Sequence, residues 1–183
     1  VLDVSRNMTV LDACSAPGTK TQEIAMFMQN EGEIIAQDIY EKRVQLIDHL
    51  MLKTGVTIVK TKVQDSSVLN EEYINKFDRV LLDAPCSGLG DLRHKPEIRF
   101  HLKPDNIDEL TSLQKKLLEV NGQYVKEGGI LVYSTCTLNK KENEKQIQTF
   151  LKNHSEYELI EEKTLFPYIE NSDGFYYAKM RRK

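Results

Sequence analysis

The 183-residue sequence predicts an α/β fold, a mostly parallel β-sheet with helices on both faces. Two observations carry that expectation. Short apolar runs alternate along the chain with segments of 3/4 apolar spacing, the pattern of strand–helix–strand units. Acidic and thiol side chains collect where those runs end, and open α/β sheets bind their ligands at the carboxyl ends of the strands. A composition 40% hydrophobic and 29% charged fits one globular domain with one core. No internal repeat or Pro/Gly/Ser linker divides it.

Residues 8–13 (MTVLDA) predict the first strand, which runs into the turn signal Ala16-Pro17-Gly18. A helix is expected over 19–29, with Ile24, Phe27 and Met28 on its apolar face. EIIAQD (33–38) predicts the second strand. The helix after it carries Val44, Ile47, Leu50 and Met51 on one face and stops near Gly55. VTIVKT (56–61) and FDRVLLDA (77–84) predict strands three and four. A stretch of about twenty residues without a pattern follows, and loops of that length inside compact domains are often functional. A helix is then expected over 105–126, striped by Leu110, Leu113, Leu117, Val120 and Tyr124. After Gly128-Gly129 come a fifth strand, ILVYST (130–135), a helix over 141–153, and strands near 157–161 and 174–181.

The segment from Cys14 through Ser15, Ala16, Pro17, Gly18 and Thr19 to Lys20 links the first strand to a helix. Its small residues let a ligand approach the backbone, and a helix N-terminus favours an anionic group. Neither G-x-G-x-x-G nor G-x-x-x-x-G-K-[ST] is present, so dinucleotide and nucleoside-triphosphate binding do not follow. Asp38 ends the second strand about 20 residues after the glycine turn, where an acid accepts from ribose hydroxyls. It also reads as the cap of the helix near Glu41. Asp65, beyond the third strand, is placed for an adenine amino group, although Asp65-Ser66-Ser67 also reads as a plain turn. Together these features describe an adenosyl pocket, to which Arg43 is added. No metal site is expected.

At the other end, Asp83-Ala84-Pro85-Cys86-Ser87-Gly88 follows strand four, and Ser134-Thr135-Cys136 ends strand five. A free cysteine is usually a small buried hydrophobe. Two at the ends of neighbouring strands, beside Asp83, point instead to thiol chemistry. Cys14 has no such partner and reads as structural.

CSAPGTK (14–20), DAPCSGLG (83–90), STC (134–136) and ENE (142–144) resemble the motifs of the RNA (cytosine-5) methyltransferases of the Sun/Nop2 family, most closely the bacterial Sun-type enzymes of 16S rRNA. LRHKPEIR (92–99) and DGFYYAKM (173–180) extend the resemblance over 10–179. It implies a Rossmann-like class I methyltransferase fold with seven strands. It implies S-adenosylmethionine as methyl donor, with 14–20 at its methionine end, Asp38 and Asp65 on the adenosine, and Asp83 between cofactor and base. It implies that Cys136 adds to C6 of cytosine and that Cys86 assists release. Lys20 is placed to support a thiolate or hold Asp83, with a solvated helix lysine as the plainer reading. Thr19 departs from the family, which usually has a second glycine there.

Arg93, His94, Lys95 and Arg99 are expected at RNA phosphate, with a solvated loop as the plainer reading. The net charge of −3 gives little general attraction for RNA, so a separate N-terminal RNA-binding region is expected beyond this sequence. Three cysteines, no bilayer-spanning run and no leader lead us to expect a cytoplasmic, monomeric protein without membrane contact. A DNA cytosine-5 enzyme would place its nucleophile at the Pro-Cys site, and Cys136 argues against it. A tRNA substrate, or a non-catalytic module that assists ribosome assembly, remains an alternative.

Overall fold

In the computed structural model, which describes residues 1–101 and 103–183, seven strands form one sheet in the order β3-β2-β1-β4-β5-β7-β6. The strands are β1 (Thr9–Asp12), β2 (Glu33–Asp38), β3 (Val59–Val63), β4 (Phe77–Asp83), β5 (Val125–Thr135), β6 (Tyr157–Leu165) and β7 (Phe175–Arg182). The helices are α1 (Thr19–Phe27), α2 (Glu41–Thr54), α3 (Ile98–His101), α4 (Pro104–Gly122), α5 (Glu144–Asn153) and α6 (Pro167–Glu170). β1 to β5 pair in parallel, and β7 runs antiparallel to both β5 and β6.

Strand alternation distributes the apolar residues over two faces. Leu11, Val80, Leu82, Leu131 and Tyr133 meet Leu117 and Leu118 of α4 and Ile147 and Phe150 of α5. Val10, Ile34, Leu81, Ile130 and Val132 meet Ile24, Ala25 and Met28 on the opposite face. Ile47 and Met51 of α2 close over Ala36. The expected helix cover on both faces is therefore present. Phe27 is a correction, since its side chain is two-thirds exposed.

Other differences have local causes. The third strand begins at Val59 rather than residue 56 because Gly55 and Val56 finish α2. Gly55 takes a left-handed φ of 70°, and the Val56 N–H donates to the Met51 carbonyl at 3.0 Å. The long helix stops at Gly122, where an added Cβ would lie 2.8 Å from Phe150. Tyr124 thus lies outside α4, buried, with its carbonyl accepting from the Lys76 and Phe77 N–H groups. β5 starts at Val125, ahead of the two glycines, with an irregular register between Phe77 and Arg79 of its partner. α5 starts at Glu144 because the turn before it aims Glu142 and Asn143 inward.

The strand order reverses at β1, which has β2 on one side and β4 on the other. Such a reversal opens a crevice at the carboxyl ends. The turn 13–18 and the segment after Asp83 border that crevice. β5 beside β4 brings Cys136 to it, with Asp83 in register with Ser134.

Candidate active site

A cleft of about 420 Å³ lies over these strand ends, within the range of small-molecule sites. Ala13, Cys14, Ala16, Asp38, Arg43, Asp65, Asp83, Cys86 and Cys136 all line it. Ile39, Tyr40, Gln64, Ser66, Leu113 and Leu117 line it too, and none of these is marked by a sequence motif.

At the β2 end, Asp38 is only 4% exposed. Its Oδ1 accepts from the Tyr40 N–H at 3.3 Å, and its Oδ2 lies 3.3 Å from the Arg43 guanidinium. The N-cap of α2 is Tyr40, so Asp38 is not the helix cap. Arg43 also donates to the Ala16 carbonyl at 3.0 Å, tying α2 to the turn 14–20. One Asp65 oxygen, Oδ1, is taken by the Ser67 N–H and hydroxyl at 2.8 and 2.7 Å.

Gly18 holds φ 107° at the head of α1, a conformation glycine adopts freely. Thr19 is the first helical residue, so its backbone is ordinary and needs no second glycine. The Ser15 hydroxyl is turned away, donating to the Gln37 carbonyl at 3.0 Å. Ser15, Pro17, Gly18, Thr19 and Lys20 do not line the cleft. Burial pushes the Cys14 thiol up to about 12, so it stays neutral and inert. Asp12, fully buried beneath the turn, is raised to about 7 by burial despite the Thr21 hydroxyl at 2.7 Å.

At the β4–β5 end, Asp83 is held from two sides. Its Oδ2 accepts from Lys20 Nζ at 2.7 Å and its Oδ1 from the Ser134 hydroxyl at 2.7 Å. Burial works against the charge on Lys20, but the Asp83 carboxylate outweighs it and keeps the amine firmly protonated. The Cys86 and Cys136 sulfurs are 3.2 Å apart. Hydrogen bonding from Cys86 brings the Cys136 thiol down to about 7 against the effect of burial, while Cys86 is raised.

Behind the thiols lies a polar cluster that the motif ENE marks only as a pattern. Glu142 is 0% exposed. Its carboxylate accepts from the Ser87 N–H (2.8 Å), the Ser87 hydroxyl (2.6 Å), Gln114 Nε2 (3.1 Å) and Asn139 Nδ2 (3.1 Å). Asn143 accepts from the Thr135 hydroxyl at 2.6 Å and donates to the Thr137 carbonyl at 2.9 Å.

Of the four basic residues expected at RNA, Arg93, His94 and Lys95 lie on the segment leading into α3 and Arg99 lies within it. His94 pairs with Asp173 at 3.3 Å, Lys95 with Asp91 at 2.8 Å, and the Arg99 guanidinium sits 4.7 Å above the Phe100 ring. Arg93 is exposed.

The family model described as "16S rRNA methyltransferase RsmB/F" matches residues 1–181. The chain belongs to that family. It is 38% identical over its whole length to a probable ribosomal RNA small subunit methyltransferase B of Bacillus subtilis, and 36% identical to ribosomal RNA small subunit methyltransferase B of Yersinia enterocolitica. It covers 45% and 44% of those relatives, so it spans less than half their length. Among solved structures it resembles NSun6 from Pyrococcus horikoshii, crystallised with SFG, at TM-score 0.90 and 30% identity over 99% of this chain and 49% of that one. A methyltransferase homolog protein from the same organism superposes at TM-score 0.88 with 33% identity, over all of this chain and 64% of that one. The expected resemblance and the Rossmann-like class I fold are thereby shown.

Proposed function

We propose that this chain is the catalytic domain of an S-adenosylmethionine-dependent RNA (cytosine-5) methyltransferase, with 16S rRNA as its substrate. The observation that carries the reading is the thiol pair. Cys136, lowered to about 7, lies 3.2 Å from Cys86 in a cleft that also contains Asp38. Methyl transfer to a hydroxyl or an amine needs no thiols. Cytosine C5 does, because it is a poor nucleophile until something adds at C6.

The residues fit the donor. Asp38 presents a carboxylate with acceptor capacity left over from its two partners, as a ribose diol requires. Ile39 and Tyr40 beside it give an apolar wall. S-adenosylmethionine, when bound, supplies an electrophilic methyl group to the activated C5 and leaves as the neutral thioether.

The side chains do the rest. Hydrogen bonding from Cys86 lowers the Cys136 thiol toward neutrality, which favours the thiolate that adds to C6. Asp83, fixed by Lys20 and Ser134, accepts from the N4 amino group of the base and so orients the ring for attack. Cys86 holds its proton as long as Cys136 is a thiolate beside it. Once the Cys136 sulfur is bonded to carbon that restraint is gone. Cys86 can then release its proton to solvent, and its thiolate takes the C5 proton while the C6–S bond breaks to return the Cys136 thiolate. A flipped-out or single-stranded cytosine suits such a cleft. Free thiols suit the reducing cytoplasm, and among the described residues no helix is long and apolar enough to cross a membrane.

The test separates the thiols. With undermodified 16S rRNA, Cys136→Ala abolishes both methylation and any covalent protein–RNA species. Cys86→Ala attacks and methylates but accumulates an adduct that survives denaturing electrophoresis. The reverse pattern would move the nucleophile to Cys86 and sink the assignment.

A further inference from the structure

We propose that Glu142 is a positioning residue that sets the separation of the two thiols, holding the Pro-Cys loop against the end of β5. The inference rests on the reading of Cys86 and Cys136 given above. It starts from an oddity, a carboxylate that is 0% exposed and meets no cation within salt-bridge distance among the described residues. Burying such a group is costly unless donors converge on it. They do, and they come from three separate segments.

Ser87, the residue after Cys86, donates twice, through its N–H and its hydroxyl. Gln114 on α4 donates to the same carboxylate and also to the Pro85 carbonyl, the residue before Cys86, at 2.9 Å. Asn139 donates from the chain just after β5. The main chain of Glu142 is anchored in turn, its carbonyl accepting from the Tyr133 hydroxyl of β5 at 2.7 Å. Cys86 is therefore gripped on both sides by bonds that end on, or run beside, one carboxylate. Asn143 performs the matching task for Cys136, bonding Thr135 and Thr137 on either side of it. The two clamps are consecutive in sequence, so the relative position of the loops is fixed by a single peptide unit. Neither residue touches the cleft.

The consequence falls on Cys136. Its thiolate is favoured by the Cys86 thiol at 3.2 Å. Asp83 and Asp91 face it and oppose its ionisation, while Lys20 and Lys95 are the cations near it. If the Ser87 anchor is lost, the Pro-Cys loop moves and the bond from Cys86 lengthens. Burial and the two carboxylates then dominate.

The pH profile of iodoacetamide alkylation at Cys136, read by peptide mass spectrometry, tests this without RNA or methyl donor. Its outcome is thus separate from whether the chain methylates cytosine. In the unsubstituted chain the midpoint falls near 7. In folded Glu142→Ala it moves up toward about 8.5, the range of a free thiol. Cys86→Ala alone produces a similar rise, and adding Glu142→Ala to it produces no further one, because the effect passes through Cys86. Ser87→Ala, which removes one anchor and little volume, moves the midpoint the same way and serves if Glu142→Ala does not fold. An unchanged midpoint in a folded variant overturns the proposal. So does a rise that persists at full size in the Cys86→Ala background, which would make Glu142 a merely structural residue.

Discussion

In the proposed function Asp38 holds the ribose of the methyl donor. It is nearly buried, spends one oxygen on a long bond from Tyr40 and the other on Arg43, and caps no helix. Asp38→Ala is expected to weaken S-adenosylmethionine binding by about 1.5–3 kcal/mol, the worth of hydrogen bonds to a charged group. Calorimetry on the folded variant measures it, and unchanged affinity would remove Asp38 from the site. That Asp38, Asp83, Cys86 and Cys136 line the cleft was legible in the sequence for one reason. Each ends an apolar run or follows one within a few residues, so a local pattern gives its position. Gln64, Leu113 and Leu117 reach the cleft from other elements, and no local pattern says so. Glu142 was harder still, because its partners lie 55 and 28 residues away. A charged residue before a helix otherwise reads as a solvated first turn.

At the scale of elements, the close approach of the loops after β4 and before β7 fixes the rim of the site. The Gly90 N–H donates to the Cys136 carbonyl and the Gly174 N–H to the Gly90 carbonyl, both at 2.9 Å. A Cβ on Gly90 would sit 1.9 Å from the Gly174 oxygen and 2.8 Å from the Cys136 oxygen. Both neighbours are backbone, so one loop must move. Gly90→Ala is expected to cost about 1–3 kcal/mol in denaturant unfolding, the usual range for overpacking. A change under about 0.5 kcal/mol, the scatter of neutral surface substitutions, would show that the rim is compliant. Sequence reasoning placed all seven strands because period and turn chemistry are local. It misjudged ends where tertiary demands take over, as where the cap of α2 claims Val56 and where Tyr124 is drawn into the core beside β4. It left α3 and α6 unassigned, since four residues are too few to carry a period.

For the whole molecule, the balance of charge limits how strongly the proposed RNA substrate can be held. The chain carries −3 overall, and of the four basic residues beside α3, His94 and Lys95 are already paired with Asp173 and Asp91. Arg93 and Arg99 have no acidic partner within 4.0 Å among the described residues, although Arg99 lies over Phe100. Counterion release from single-stranded RNA contributes a slope of about −0.7 per phosphate neutralised in a plot of log affinity against log salt. Two free cations therefore predict a slope of about −1.4 for residues 1–183, with weak binding at physiological salt. The cleft proposed for the donor, by contrast, is lined by residues of this chain, so S-adenosylmethionine is expected to bind it without RNA. The two affinities are expected to separate in one preparation, the donor by calorimetry and a 16S rRNA hairpin by fluorescence anisotropy across a salt series. Substituting Arg93 and Arg99 together with alanine should then flatten the residual slope toward zero while leaving donor binding unchanged. A steep slope that survives the double substitution would mean that RNA grips another face of the molecule and that Arg93 and Arg99 are not its phosphate contacts.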